Sequence, residues 1–426
     1  MIKDDFRVEM IGHATLRVRS GGRTLLTDPW LVDPIGHSGF HFPPLVHDPA
    51  ALAAETDAIY ISHVHPDHFN APTLEHFSRD TPIYIGEYRR KGFRDAIRAL
   101  GFRVVEVPFQ QPTPIAGTEF ELAVVEHDFE ESAAYDSSAV IRAPAFTLFE
   151  NNDCVLGAAK YVWVREHFDV DYAFLGYSPA SFFPISFELA AEEKARLLAE
   201  SGETRYRECR DAVALLAPRL TVPFASGLRF LRAEALWKNV AFNSASEMVH
   251  RLRARGWAAE VMGPGDRIGA DGALRRVCPL LDREAELAAI AAYADRVQDW
   301  VTARSPRESV VRPDLVERFR DYLLARWRAT RAQLPGVRRH VIAYVLQGAQ
   351  EQRFYFDFSR SDDQVFQWGE PPRYDMRYTY RSAGLQRRMD GEIDWDELHF
   401  TDASVHQIHY AREFYTMLRS ETLDLG

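Results

Sequence analysis

The sequence predicts an α/β protein built in layers, followed by a helical segment and a small α+β unit. Three observations carry this. Apolar strands alternate with helical patterns up to about residue 275. Residues 282–331 then read as helix alone, with Leu287, Ile290, Ala294, Val297 and Val301 on one apolar face and Leu315, Phe319, Tyr322 and Leu323 on another. From residue 338 strands return in a different context. At 426 residues the chain is too long for one ordinary domain. The expected organisation is a catalytic domain over 1–275, a helical connector over 276–335 and a C-terminal α+β domain over 336–426.

Each element has a local signature. Phe6 to Ile11, Thr15 to Arg19 and Arg23 to Thr27 alternate as short strands, the last two joined across Gly21-Gly22. Residues 29–50 form a long segment rich in Pro, Gly and His. Such a stretch inside a compact domain is usually functional, and it could cover an active site. Further apolar strands are 59–62, 82–87, 102–108, 145–151, 172–177 and 220–225, with helical patterns near 90–100, 187–217 and 244–255. At the C-terminal end, RRHVIAYVLQG and QRFYFDFSR read as strands paired about Gly348, and DMRYTYRS reads as a third. GEIDWDELHF then leads into a helical tail, HQIHYAREFYTML. A curved sheet with helices is the natural result, and it weakly resembles sterol-carrier-like domains, which enclose apolar ligands.

Composition narrows the function. The chain is 46% hydrophobic and 27% charged, which is globular, and its formal net charge is −11. An acidic excess argues against nonspecific binding to nucleic acid or to an anionic membrane, whose phosphates want Lys and Arg. The start has no apolar core of a signal peptide, and no stretch approaches a membrane span. Cys154, Cys209 and Cys278 form no pairing pattern, so a reduced, cytoplasmic setting is expected.

The chemistry concentrates in residues 59–70, where an apolar strand runs into His63, His65, Asp67 and His68. Three imidazoles and a carboxylate within six positions have metal-ligand character. Later strand ends offer His127, after the apolar run from Phe120 to Val125, and Asp153, after FTLFENN. The chain around this cluster resembles the metallo-β-lactamase fold, an αββα sandwich. That resemblance implies that His63, His65 and His127 hold one metal. It also implies that Asp67 and His68 hold a second, and that Asp153 bridges the two. Asp28, in Thr27-Asp28-Pro29-Trp30, resembles a residue that braces the His loop from behind, which is how metal ligands are oriented.

The chain resembles one branch of that fold more than others. DPWLVDP, IYISHVHPDHFNAPTLEHF, PIYIG, LGYSPASFFPISFE, LLAPRLTVPFA and GEIDWDEL run collinear with CMP-N-acetylneuraminate hydroxylases. Those enzymes carry a Rieske iron–sulfur domain, and three isolated Cys here cannot supply its ligands. The chain also resembles the β-lactamase-fold non-haem di-iron monooxygenases of natural-product biosynthesis. The implied cofactors are two divalent metals, iron before zinc or manganese, with O2 as co-substrate. An external electron-transfer partner or reductase is needed as well. One departure matters. The fold's final metal-binding His, after the strand ending in Pro223-Phe224-Ala225, has no counterpart in Ser226-Gly227-Leu228-Arg229. Asp67, His68 and Asp153 would then hold the second metal with open positions, and Glu130, Glu131 or Glu234 could fill one. Fewer imidazoles and more carboxylate suit iron in oxygen chemistry.

The expected function is hydroxylation of a C–H bond of a small apolar metabolite, terpenoid or acyl. The alternative is a dinuclear zinc or manganese hydrolase of an ester, lactone or phosphodiester, in which the metals lower the pKa of a bridging water. Trp30, His37, His41, Phe182 and Phe183 are candidates to line the substrate pocket. Arg229 is a candidate partner for a carboxylate or phosphate.

Overall fold

A computed structural model describes residues 6–35, 39–128, 136–179, 181–304, 311–393, 395–409 and 411–418. Two sheets face each other. The first has eight strands, of which Phe6–Gly12, Thr15–Ser20 and Arg23–Thr27 are antiparallel. Ala58–Tyr60, Ile83–Gly86 and Val104–Val107 continue in parallel from Arg23–Thr27. The second has six strands, including Glu121–Glu126, Ser137–Ala143, Phe146–Glu150, Tyr172–Gly176 and Leu220–Phe224. Ser137–Ala143 was not among the strands expected from the sequence.

Period-2 alternation explains the layers. Leu16, Val18, Tyr60 and Tyr84 point inward and meet Leu122, Val124, Ile141, Leu148 and Phe174 of the facing sheet. Their neighbours point outward. Ile59, Ile61, Ile83 and Ile85 pack with Leu52, Phe93 and Ile97 of the helices Pro49–Ala54 and Gly92–Ala99. Ala123, Val125, Phe149 and Leu175 pack with the helices Ala158–His167, Ala191–Leu216 and Ala245–Arg253. The result is the expected αββα sandwich. Buried on both faces, its central strands read as near-continuous apolar runs.

The long segment after residue 29 contributes a short strand, Gly39–His41, that pairs antiparallel with Leu228–Phe230. Phe40 and Phe42 then meet Ile290, Ala294 and Val301 of the helix Arg283–Arg304. The next helix, Leu315–Thr330, sends Leu315, Phe319, Leu323 and Trp327 into a different core. The two helices of the expected connector therefore serve different parts of the molecule.

That second core belongs to a five-stranded sheet in the order 366–368, 352–357, 341–347, 376–381, 403–407. Val341–Gln347 and Gln352–Asp357 form the expected hairpin. Met376–Arg381 lies parallel to Val341–Gln347 on its other side, with Ile342 opposite Met376. The expected helical tail, residues 406–418, is corrected: His406 and Gln407 end the strand Ala403–Gln407, and among the described residues of the tail Arg412–Leu418 is helical. Edge pairing with Met376–Arg381 overrides helical periodicity there. Tyr344, Phe354, Phe356, Tyr378 and Tyr380 fill the interior as ring contacts.

Candidate metal centre

The centre sits where the strands of the two sheets end. Asp28 organises it. Its φ of +37° turns the chain at the end of Arg23–Thr27, and its carboxylate is fully buried. Oδ1 accepts the Ser62 N–H at 2.7 Å, and Oδ2 accepts the Ser62 hydroxyl at 2.6 Å. Oδ2 also lies 2.8 Å from His68 Nδ1. Because a carboxylate only accepts, His68 carries a proton on Nδ1, and Nε2 is the nitrogen it can offer to a metal. The Ser62 hydroxyl, with its hydrogen committed to Asp28, accepts from His63 Nδ1 at 2.9 Å. His63 Nε2 is bare in turn. One carboxylate thus sets the tautomers of two imidazoles, the arrangement metal ligands need.

The loop itself is pinned from outside. The Ser62 carbonyl accepts from the Tyr88 hydroxyl and from Ser137 Oγ, the latter at 3.0 Å. Asn70 caps the short helix Ala71–Leu74 through the Thr73 N–H and donates to the Pro66 carbonyl at 3.1 Å.

The donors fall into three groups, each with ligand atoms within 4.8 Å of one another: His63, His65 and Asp153; His13, Asp67 and His68; and His127, Asp136 and Cys154. His63 Nε2 and His65 Nδ1 stand 2.9 Å apart. Asp153 Oδ2 lies 4.0 Å from His63 Nε2 and 3.7 Å from His68 Nε2, between the first two groups. His68 Nε2 is buried and has no hydrogen-bond partner, since Asp153 and Asp67 (3.8 Å) are too far. An orphaned basic nitrogen facing two carboxylates fits a divalent cation.

Burial, with His68 and His65 nearby, holds the His63 imidazole well below its ordinary range, so it is neutral. Burial works against a charge on His68, but Asp28 and Asp67 outweigh it and push its pKa well up, so without a cation its Nε2 holds a proton that a bound metal would displace. Burial opposes ionisation of Asp67 and Asp153 as well. His68 and His13 override that for Asp67, and His68 does so for Asp153, so both carboxyls are held low. Burial and the neighbouring Asp153 drive Asp136 well above the usual carboxylate range.

Two placements differ from the expectation. His127 stands in the third group, its Nδ1 accepting the Val155 N–H at 3.0 Å and lying 3.6 Å from Asp136. Burial and Lys160 lower its pKa to about 4. The third donor beside His63 and His65 is Asp153 instead. The second placement is His13, which the sequence pattern did not single out. It lies in the turn between the first two strands and enters the Asp67–His68 group. The only local signal was an imidazole between Gly12 and Ala14 at a tight turn.

Of the expected pocket residues that the structure describes, Trp30 touches the centre through His13, and none lines the cavity beside Asp153. Trp30 is fully buried against the His41 ring, at 3.6 Å between centroids. His41 is buried and bonded through Nδ1 to Asp33 at 2.7 Å. Phe182 packs on Phe187 and His399, at the edge of the C-terminal core, and Phe183 is 41% exposed. Arg229 is buried, with its Nη atoms given to Glu286 and to the carbonyls of Ser226 and Leu228. Glu234 lies beside Arg232 and Arg381. His37, Glu130 and Glu131 lie outside the described residues. A cavity of about 240 Å³ has Asp153, Asn152, Tyr161, Ser178 and Leu215 in its wall.

Residues 7–136 match the family model described as a beta-lactamase superfamily domain. The chain carries a beta-lactamase-fold domain. A Mycobacterium tuberculosis protein named as a Rieske 2Fe-2S iron-sulfur protein is 26% identical over 320 residues, covering 70% of this chain and 62% of that protein. This chain thus spans under two thirds of the length of those mycobacterial relatives. The cytidine monophosphate-N-acetylneuraminic acid hydroxylase of Danio rerio is 40% identical over 90 residues, 20% of this chain and 15% of that protein. Among solved structures, CmlA, a diiron beta-hydroxylase from Streptomyces venezuelae, aligns with a TM-score of 0.45 and 20% identity. That alignment covers 65% of this chain and 55% of the other. An isothiocyanate hydrolase from Delia radicum gut bacteria aligns with a TM-score of 0.44 and 17% identity, covering 63% and 98%.

Proposed function

We propose that this chain is a dinuclear non-haem iron monooxygenase. It hydroxylates a C–H bond of a small metabolite of the terpenoid or acyl kind, using O2 and electrons from a separate partner. The observation that carries the dinuclear part is the position of Asp153 Oδ2 between the Nε2 atoms of His63 and His68. His63, His65 and Asp153 would hold one metal, and Asp67, His68 and Asp153 the other. The bound irons would supply the redox chemistry that activates O2 toward a C–H bond.

The chain's residues prepare the site for that chemistry. Asp28 fixes the proton on Nδ1 of His68 and, through Ser62, on Nδ1 of His63. Asp67 and Asp153 are kept ionised by the facing imidazoles. The substrate would enter by the cavity that has Asp153 in its wall, where Tyr161, Leu156 and Leu215 give an apolar side.

Oxidation is favoured over hydrolysis by the sequence relatives, named for a Rieske centre and for a hydroxylase. A mixed imidazole–carboxylate set also suits iron. The three cysteines are unpaired. Cys154 and Cys209 are buried and Cys278 is half-buried, and burial raises all three thiol pKa values. They supply no electron-storing cluster, so a reductase or chemical reductant is required. The test is turnover of candidate acids and terpenoids by iron-loaded protein under ¹⁸O2 with a reductant. Label from O2 is expected in the product, with no turnover under argon. Label from water, or turnover without O2, would leave metal-hydroxide hydrolysis as the function.

A further inference from the structure

The corner of the second metal position that lacks an imidazole from the strand end at Ala225 is filled by His13. His13 comes from the opposite sheet, and its backbone φ is +46°. That left-handed conformation costs a non-glycine residue free energy, and glycine would adopt it freely. The ring is 8% exposed and held edge-on against both Trp30 (5.5 Å) and His68 (5.2 Å). Its Nε2 lies 3.2 Å from Asp67 Oδ2, so by distance alone it would pass for a third ligand.

The other ring nitrogen decides otherwise. The Gly227 backbone N–H donates to His13 Nδ1 at 3.0 Å. A backbone N–H cannot reverse its role, so Nδ1 must offer a lone pair and the neutral ring carries its proton on Nε2. Metal-binding imidazoles do the opposite: they give the distal N–H to an acceptor, as His68 does to Asp28, and turn the other nitrogen to the metal. The contact with Gly227 is built in. A Cβ at 227 would meet the His13 backbone N and Cα at 2.9 Å, so only glycine lets that N–H approach. Asp67 sits off the axis of the Nε2 proton, which has no aligned acceptor among the described residues.

We infer that His13 is not the missing ligand but a proton-bearing donor aimed at the open side of the second metal position. There it offers a hydrogen bond to an oxygen acceptor, a carboxylate or carbonyl of the substrate. This rests on the dinuclear iron function proposed for the chain. It leaves Asp67, His68 and Asp153 as the protein donors of the second metal, with at least one coordination position free.

The test uses zinc alone as a diamagnetic probe. Metal equivalents are counted in wild type, His13→Gly and His13→Gln, and the His13 ring nitrogens are read by ¹⁵N NMR with and without metal. Glycine suits a φ of +46°, so His13→Gly should fold. Both variants should keep two equivalents. One site should be weakened by no more than about 10–100-fold in His13→Gly, and less in His13→Gln, whose amide can still donate. His13 should show a protonated Nε2 and a bare Nδ1 in both states. Loss of one equivalent in both variants, or a metal-bound Nε2 with a protonated Nδ1, would overturn the inference and make His13 a ligand. A single equivalent in wild type would refute the dinuclear reading, and the tautomer in metal-free protein would then decide the His13 assignment by itself.

Discussion

Asp28 shows how much of this centre depends on one side chain that touches no metal. It aligns two imidazoles, His68 directly and His63 through the Ser62 hydroxyl. Asp28→Asn should lower the affinity of both sites by about 10–100-fold while the chain stays folded, because an amide can donate where two imidazoles need an acceptor. Ser62→Ala should weaken the His63 side alone. Competition with a graded set of chelators measures both, and equal retention of metal by Asp28→Asn and wild type would deny Asp28 this role. His63→Ala and Asp67→Ala, each within a loop beyond the core, should each remove at least one metal equivalent without unfolding the protein. Of these residues the ligand loop was plain in the sequence, as three His and one Asp after an apolar strand. Ser62 and Asp136 were not, because a serine or aspartate carries no pattern until its partner is known.

At the scale of elements, the segment after Pro29 and the turn Leu236–Ala241 tie the catalytic layers to the C-terminal part of the chain. Lys238, on that turn, is 5% exposed and donates to Ser186 Oγ at 3.0 Å and to the Phe400 carbonyl. Burial pulls its pKa down from 10.5 to about 8, with Asp402 resisting. A lysine lowered on folding binds fewer protons in the native state than in the unfolded chain between those values. Its cost is therefore fully present below pH 8 and is relieved as pH rises toward 10.5. The span corresponds to roughly 3 kcal/mol. Lys238→Met should flatten this rise, so that urea unfolding at pH 7.5 and 9.5 differs less in the variant than in wild type. An unchanged difference would show that the ammonium keeps an ordinary pKa.

At the scale of the molecule, the C-terminal sheet is clamped to the sandwich. Arg232 and Asp402, both nearly fully buried, pair through two bonds of 3.0 and 3.1 Å. Phe187 bridges to Val405, and Arg377 pairs with Glu188 at 2.8 Å. Burial opposes the charge on Asp402, but Arg232 overrides it and holds the pKa low, so this contribution is lost as pH falls through that lowered value. Asp402→Ala takes the buried carboxylate away from the Arg232 guanidinium and should cost about 3–5 kcal/mol. Arg232→Met combined with Asp402→Leu should recover most of it. Thermal unfolding of the three proteins checks this. Equal loss in single and double variants would place the energy elsewhere. No helix among the described residues is long and apolar enough to cross a membrane.

The sequence by itself determined what is periodic and local. The layered α/β class follows from strands such as 59–62 and 120–125, whose alternate residues face opposite layers. The metal loop follows from spacing within six residues. The place of Asp153 beside His63 and His68 was legible from its strand end together with the fold resemblance. What only the tertiary structure decided is the partner of each buried polar group. His13 owes its tautomer to Gly227, 214 residues away, and Arg229 is taken up by Glu286, 57 residues away. The edge strand Ala403–Gln407 owes its form to Met376–Arg381. The physical reason is the same in each case. A buried donor, acceptor or charge must be satisfied by whatever the fold brings beside it, and that neighbour is set by sheet pairing and layer packing, which leave no mark on the adjacent sequence.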